Sequence, residues 1–235
     1  MIKQTRAKYA LVTGASSGIG EAIATYLLEQ GYVVFGVSRT QSIFCDNYRH
    51  IELDLTQSST VKAAIEPIAK EQPISILVNA AGVGRFDPLE SIDTDTIAQI
   101  NSLNLTAPMM LSSLLLRFMK RDGGAIFFIS SIEATRSSKF SSIYSATKSG
   151  LRAFSLALFE EVRKDNVRVV CINPDMTDTP FFEKLHFGVM SPKHLITQDI
   201  VDAIDMILHL RQEATVTELT IRAQQFGIVK KRALK

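Results

Sequence analysis

Apolar and polar positions follow two rhythms along this chain. Unbroken apolar runs at Tyr9–Thr13, Tyr32–Ser38, His50–Asp54, Ile74–Asn79, Gly124–Ser131, Val167–Asn173 and Val216–Arg222 have the length of strands. Their lack of polar alternation predicts burial on both faces. Between them, around 18–30, 57–71, 94–121, 142–165 and 198–211, apolar positions return with the period of a helix. Regular alternation of strand and helix, joined by right-handed crossovers, predicts an α/β fold: a doubly wound, seven-stranded parallel sheet with helices on both faces. The sequence holds no internal repeat and no linker rich in Pro, Gly or Ser, so a single domain over 1–235 is expected.

Composition narrows the partners. A net charge of +2 is too small to point to nucleic acid or an anionic membrane. Lys230, Lys231, Arg232 and Lys235 make a short basic tail, about 228–235, read as a solvated and partly disordered terminus. The longest apolar stretch, Met109 to Met119, is interrupted by Ser112, Ser113 and Arg117 and is too short to span a bilayer; no leader-like segment opens the chain. Cys45 and Cys171 suggest no disulfide framework, and the four histidines have no metal-ligand spacing. A reducing, cytoplasmic setting without a metal is therefore expected.

In a doubly wound sheet, ligands sit beyond the carboxyl ends of the strands. The first strand runs into Thr13-Gly14-Ala15-Ser16-Ser17-Gly18-Ile19-Gly20 and then into a helix. Glycines at 14, 18 and 20 clear side chains from the turn, so N–H groups at the start of the helix can approach a phosphate, and the helix dipole favours negative charge there. A dinucleotide pyrophosphate suits this Rossmann-like turn, although G-x-x-x-G-x-G departs from the standard G-x-G-x-x-G spacing. The second strand ends in Ser38-Arg39. An acidic residue there would hold a ribose 2′-hydroxyl and repel a 2′-phosphate, whereas an arginine fork pairs with that phosphate, so Arg39 favours NADP(H). After the third strand, Asp54, followed by Leu55, can meet the adenine amino group or cap the helix that begins near Thr56.

The strand ends then accumulate Asn79-Ala80-Ala81-Gly82, Asn104, Ser131, Tyr144-Ser145-Ala146-Thr147-Lys148 and Asn173-Pro174. With the glycine turn, these motifs in this order resemble the short-chain dehydrogenase/reductase family in its compact form, over about residues 7–222. The resemblance implies a nicotinamide cofactor, hydride transfer to or from a carbonyl or hydroxyl carbon, and a catalytic set of Ser131, Tyr144, Lys148 and Asn104. It also implies homodimers or homotetramers, and cofactor contacts at Gly14, Ser16, Ser17, Gly18, Ile19, Gly20, Arg39, Asp54, Leu55, Asn79, Ala80, Ala81, Gly82, Tyr144, Lys148, Pro174 and Thr179.

The residues make part of this case themselves. Tyr144 and Lys148 share a helix face, and an ammonium beside a phenol favours the phenolate, which lowers its pKa toward the working range of an acid/base. Ser131 ends the fifth strand and can hold the same substrate oxygen. Pro108, four residues after Asn104, has no N–H for the Asn104 carbonyl in a continuous helix, leaving that carbonyl free for a water. In the family this water meets the lysine and completes a proton relay. Asp175 stands where the family usually has glycine, which places a carboxylate near the nicotinamide site.

Residues 180–197, with Phe181, Phe182, Phe187 and Met190, read as a substrate lid. Glu133 and Arg136 add polar groups, so fatty and polar substrates both stay open. The apolar helix 104–120 and the apolar face of the helix bearing Tyr144 suggest self-association. The expected activity is reduction of a small carbonyl compound by NADPH, or oxidation of the matching alcohol. A 3-oxoacyl thioester reductase and a non-catalytic nucleotide-binding regulator are the alternatives.

Overall fold

The computed structural model of the chain describes residues 8–183, 185, 187–189, 193–225 and 227–230, with 229 and 230 described by their backbone alone. In chain order the strands are β1 (Lys8–Thr13), β2 (Tyr32–Ser38), β3 (Tyr48–Glu52), β4 (Ile74–Asn79), β5 (Gly124–Ile129), β6 (Val167–Pro174), β7 (Phe187–Val189), β8 (Glu218–Ile221) and β9 (Ile228–Lys230). The helices are α1 (Gly18–Glu29), α2 (Ser58–Glu71), α3 (Thr94–Asn101), α4 (Ala107–Asp122), α5 (Ser142–Val162) and α6 (Thr197–Leu208). Seven strands form one sheet in the order β3-β2-β1-β4-β5-β6-β8, and every pair in it is parallel. The order reverses between β1 and β4, which opens a crevice at the carboxyl edge.

Successive strand residues point to opposite faces, and this divides the core in two. Val12, Val78, Phe127 and Ile172 pack under α1 and α6 against Ile23, Leu27, Ile200 and Ile204. Their neighbours Leu11, Leu77, Ile126 and Phe128 face Val61, Ile65, Leu111, Leu115 and Leu151 of α2, α4 and α5. Phe127 and Phe128 are both fully buried. At about 25 cal/mol per Å² of apolar surface, each contributes roughly 2–3 kcal/mol.

Several expected boundaries move. β3 lies two residues earlier than expected, and β5 stops at Ile129. Ser130 still donates its N–H to Ile172 O at 2.8 Å, but Ser131 already caps a short 3-10 turn over Ile132–Ala134. The segment expected as one helix over 94–121 is α3 and α4 joined by a π turn at Ser102–Thr106. Pro108 cannot donate at α-helical spacing, and the chain widens so that Ala107 N–H reaches Ser102 O, five residues back.

The segment after 180 contains a 3-10 turn at Pro180–Phe182 followed by β7. β7 pairs antiparallel with β9, Phe187 opposite Lys230 and Val189 opposite Ile228. Residues 228–230, expected in a disordered basic tail, are therefore a strand. Met190 and the tail residues 231–235 lie outside the described residues. No helix among the described residues is long and apolar enough to cross a membrane.

Candidate active site

A cavity of about 1390 Å³ opens beyond the carboxyl ends of the parallel strands. Its wall includes Gly14, Ser16, Ser17, Gly18, Ile19 and Gly20 from the turn between β1 and α1. Gly14 and Gly18 have φ of +68° and +56°, a left-handed backbone that favours glycine. A Cβ on Gly20 would lie 2.3 Å from Gly14 O, so the turn is closed too tightly for a side chain. Ser17 precedes α1 in extended conformation, and its hydroxyl does not cap the helix.

Thr13, at the end of β1, holds the next wall in place. Its Oγ1 accepts from the N–H groups of Ala80 and Ala81, both at 3.1 Å, and so docks Ala80, Ala81 and Gly82 onto the glycine turn. Asn79 does not reach the cavity wall: its side chain is buried, with neither polar atom hydrogen bonded. Arg39 is exposed on the wall near Asp54 and Leu55. Asp54 Oδ1 accepts from Thr56 N–H at 2.9 Å and Thr56 Oγ1 at 2.8 Å, and these bonds hold its carboxyl below the usual range. Asp54 thus closes a turn at Thr56 and does not cap α2, which starts later, at Ser58, behind Gln57.

At the far end stand Ser131, Tyr144 and Lys148. The Ser131 hydroxyl faces the Tyr144 phenol closely enough to favour its ionised form. The Tyr144 ring is 7 % exposed, with Phe86 and Phe181 packed on it at centroid distances of 5.2 and 5.8 Å. Lys148, 4 % exposed, places its ammonium 5.8 Å from the Tyr144 ring centroid and donates to Ile129 O at 2.8 Å.

Burial dominates both ionisations. It pushes the Tyr144 phenol up to about 12, against the lowering effect of the Ser131 hydroxyl and with a further upward push from Glu133. It also pulls the Lys148 ammonium down to about 8. A lowered phenol, expected from the four-residue spacing alone, is not found, because dehydration by burial is the largest influence on it.

Asn104 is fully buried off the cavity wall. Its Oδ1 accepts from Val83 N–H at 2.9 Å, and its Nδ2 donates to Val83 O at 2.8 Å and Thr147 Oγ1 at 3.2 Å. The side chain thereby ties the segment after Gly82 to the turn of α5 that carries Lys148.

Pro174 and Thr179 both line the cavity, and Thr179 covers the glycine turn, where its side chain would lie 3.1 Å from a Cβ on Gly18. The Asp175 carboxylate is engaged within the protein: Oδ1 accepts from Met176 N–H at 2.9 Å, and Arg222 Nε lies 3.3 Å from Oδ2. Sequence reasoning missed the anchoring by Thr13, visible only once β1 and β4 are adjacent, and the roof of Phe86, which follows no motif. It also missed the hydrogen-bond cluster around Glu133, whose serines lie five to twelve residues away.

The site fits a dinucleotide in its own terms: a glycine cradle at a helix start, an arginine on the rim, and a buried Ser-Tyr-Lys group on one continuous wall. The sequence model of the short chain dehydrogenase family matches residues 8–187. An uncharacterized oxidoreductase of Staphylococcus epidermidis is 30% identical over 228 residues, 93% of this chain and 98% of the relative. An alcohol dehydrogenase of Thermococcus sibiricus, solved with 5-hydroxy-NADP, superimposes with a TM-score of 0.80 at 26% identity over 92% of this chain and 97% of that one. A 3-ketoacyl-(acyl-carrier-protein) reductase of Brucella melitensis, solved with NADH, gives 0.79 at 25% over 91% and 96%. Reached separately from strand order, cavity wall and sequence match, the conclusion is the same: this chain belongs to the short-chain dehydrogenase/reductase family and is an oxidoreductase.

Proposed function

We propose that the protein is an NADP(H)-dependent oxidoreductase that reduces a carbonyl carbon of a small organic substrate or oxidises the matching alcohol. The observation that carries this reading is the single cavity with Arg39 and the glycine turn at one end and Ser131, Tyr144 and Lys148 at the other. The two solved relatives name NADP in one case and NADH in the other, so cofactor choice rests on Arg39. The turn at 14–20, Asp54 with Leu55, Ala80 to Gly82, Pro174 and Thr179 would hold the dinucleotide, which when bound supplies or accepts the hydride.

The chain's own residues handle the proton. Ser131 Oγ and Tyr144 Oη, side by side on the cavity wall, would both meet a substrate oxygen, and the serine holds that oxygen as negative charge develops. Because burial keeps the phenol protonated at neutral pH, Tyr144 enters as a general acid, which suits reduction. Lys148 restores the proton from the buried side, and Asn104 fixes the turn on which it stands. Phe86 and Phe181 keep water from the phenol. Self-association into a homodimer or homotetramer through α4 and α5 belongs to the same proposal.

The test is a screen of ketones, aldehydes, alcohols and 3-oxoacyl thioesters with NADPH and NADH, followed by nicotinamide absorbance. Turnover with NADPH preferred is the expected outcome. Tight NADPH binding with no turnover of any class would instead favour a nucleotide-binding regulator, and thioester-only turnover the acyl reductase reading.

A further inference from the structure

Between Ser131 and Tyr144 the chain makes a tight excursion with one buried carboxylate at its centre. Glu133 sits two residues after Ser131, and its own N–H donates to Ser131 Oγ at 3.2 Å. Its carboxylate faces back toward the start of α5. Oε1 accepts from Ser138 Oγ at 2.6 Å, and Oε2 accepts from Ser138 N–H at 3.2 Å, Ser141 Oγ at 2.9 Å and Ser145 Oγ at 3.1 Å. Ser141 and Ser145 are buried, and they bracket Tyr144 in the sequence. Each hydroxyl has one proton. Ser138 and Ser145 can therefore satisfy opposite oxygens while Ser141 turns its proton to the carboxylate or to Ser138 O, 2.7 Å away. Four donors on one buried carboxylate make bonds of the stronger, charge-assisted kind.

The loop these bonds hold is under backbone strain. Phe140 has φ of +67°, a left-handed conformation that bulky residues rarely adopt, and it lies between the two serines, Ser138 and Ser141. Such a residue persists only where its surroundings impose it. On the outer side, Arg136 spans Glu133 Oε1 at 3.6 Å and Asp175 Oδ1 at 3.7 Å, linking the excursion to the end of β6.

We infer that Glu133 is a positioning residue that sets the Ser131 hydroxyl against Tyr144 by fastening the loop after β5 to the first turn of α5. This rests on the reading of Ser131 and Tyr144 as the pair that meets the substrate oxygen. Glu133 acts through them and through the serine cluster, with no contact to substrate required. An apolar core would also bury this loop, but it would not fix two hydroxyls on separate elements to a fraction of an ångström. An anion with donors from both elements does so.

The experiment compares wild type with Glu133→Gln, Glu133→Ala, Ser145→Ala and Tyr144→Phe in full-length protein. It follows kcat and KM for an accepted carbonyl substrate, NADPH affinity, melting temperature, and deuterium uptake of peptides covering 131–145. Glu133→Gln keeps the size and one acceptor, so kcat is expected to fall about tenfold, and Glu133→Ala about a hundredfold, the scale of an ångström-level misplacement. NADPH affinity is expected to stay within about twofold, and deuterium uptake to rise at 131–145 while α1 stays protected. Ser145→Ala is expected to lose a few-fold in kcat alone and little further in the Glu133→Gln background, because both changes break one bond.

A Glu133→Gln enzyme with unchanged kcat and looser 131–145 peptides would overturn the inference. So would a loss of kcat matched by an equal loss of NADPH affinity, which marks general destabilisation. If Glu133→Ala fails to fold, Glu133→Gln and Ser145→Ala decide the question. Failure of the underlying reading shows separately, as full turnover by Tyr144→Phe.

Discussion

On the proposed reading, cofactor choice turns on Arg39, and its exposure means that replacement perturbs little else. Arg39→Asp removes a charge-assisted contact to a 2′-phosphate and adds repulsion. NADPH affinity should fall by about 2–3 kcal/mol, tens to more than a hundredfold, with NADH barely affected. Equal NADPH affinity in both proteins by fluorescence titration would reduce Arg39 to a surface residue. Tyr144→Phe keeps the ring packed against Phe86 and Phe181 and deletes only the proton. Turnover should drop by about 10²–10⁴ with NADPH binding nearly unchanged, as measured by product formation beside a cofactor titration. The identities of these residues were legible because chemistry restricts them: an arginine after a strand, a Tyr and Lys one helical turn apart. Their ionisation was not, because a four-residue spacing conveys proximity and says nothing of the water excluded by Phe86 and Phe181.

Among elements, those with strong period and clear ends could be read directly. β1, β2, β4 and β6 appear within a residue of the apolar runs that predict them, since burial on both faces leaves no polar positions to blur their limits. The π turn at Ser102–Thr106 was half legible: Pro108 announces a break, but how the chain accommodates it depends on what Asn104 meets across the fold. That contact supports a prediction. Asn104→Ala leaves the Val83 N–H and C=O without their side-chain partner, so stability should fall by about 2–4 kcal/mol in urea unfolding. An unchanged unfolding midpoint would mean that the Val83 segment is held elsewhere. β7 and β9 were not legible, because strands of three residues carry no measurable period.

On the scale of the whole molecule, a buried lysine shapes the pH dependence of stability. Lys148 falls to about 8 in the fold from an ordinary 10.5, so between these values the unfolded chain binds a proton that the folded chain does not. Stability contributed by this group therefore rises with pH across about 8 to 10.5, by up to roughly 3 kcal/mol. Tyr144 acts in the opposite sense: its phenol, raised from 10 to about 12, contributes stability below pH 10 that is lost as pH climbs toward 12. Urea unfolding of wild type and Lys148→Met from pH 7.5 to 10.5 should give curves that converge with rising pH, the mutant being the more stable at the neutral end. Parallel curves would show that the ammonium stays hydrated.

The apolar surplus of α4 and α5 that suggests self-association is partly absorbed within the chain, where Leu114, Leu116, Phe118, Phe154 and Phe159 pack half-buried on the core. A dimer or tetramer by light scattering at micromolar concentration is the expected result, and a monomer would remove the proposed contact.

The pairing of β7 with β9 reaches into laboratory handling. Phe187, which packs with Phe86 and Phe182 above Tyr144, lies on a ladder of three residue pairs whose other rail is 228–230. A ladder that short does not stand alone in water and leans on the rings beneath it. A tag fused behind residue 235 sits five residues from that rail, so its placement becomes a variable of the assay: the same enzyme tagged at either end should melt alike and yet differ in KM.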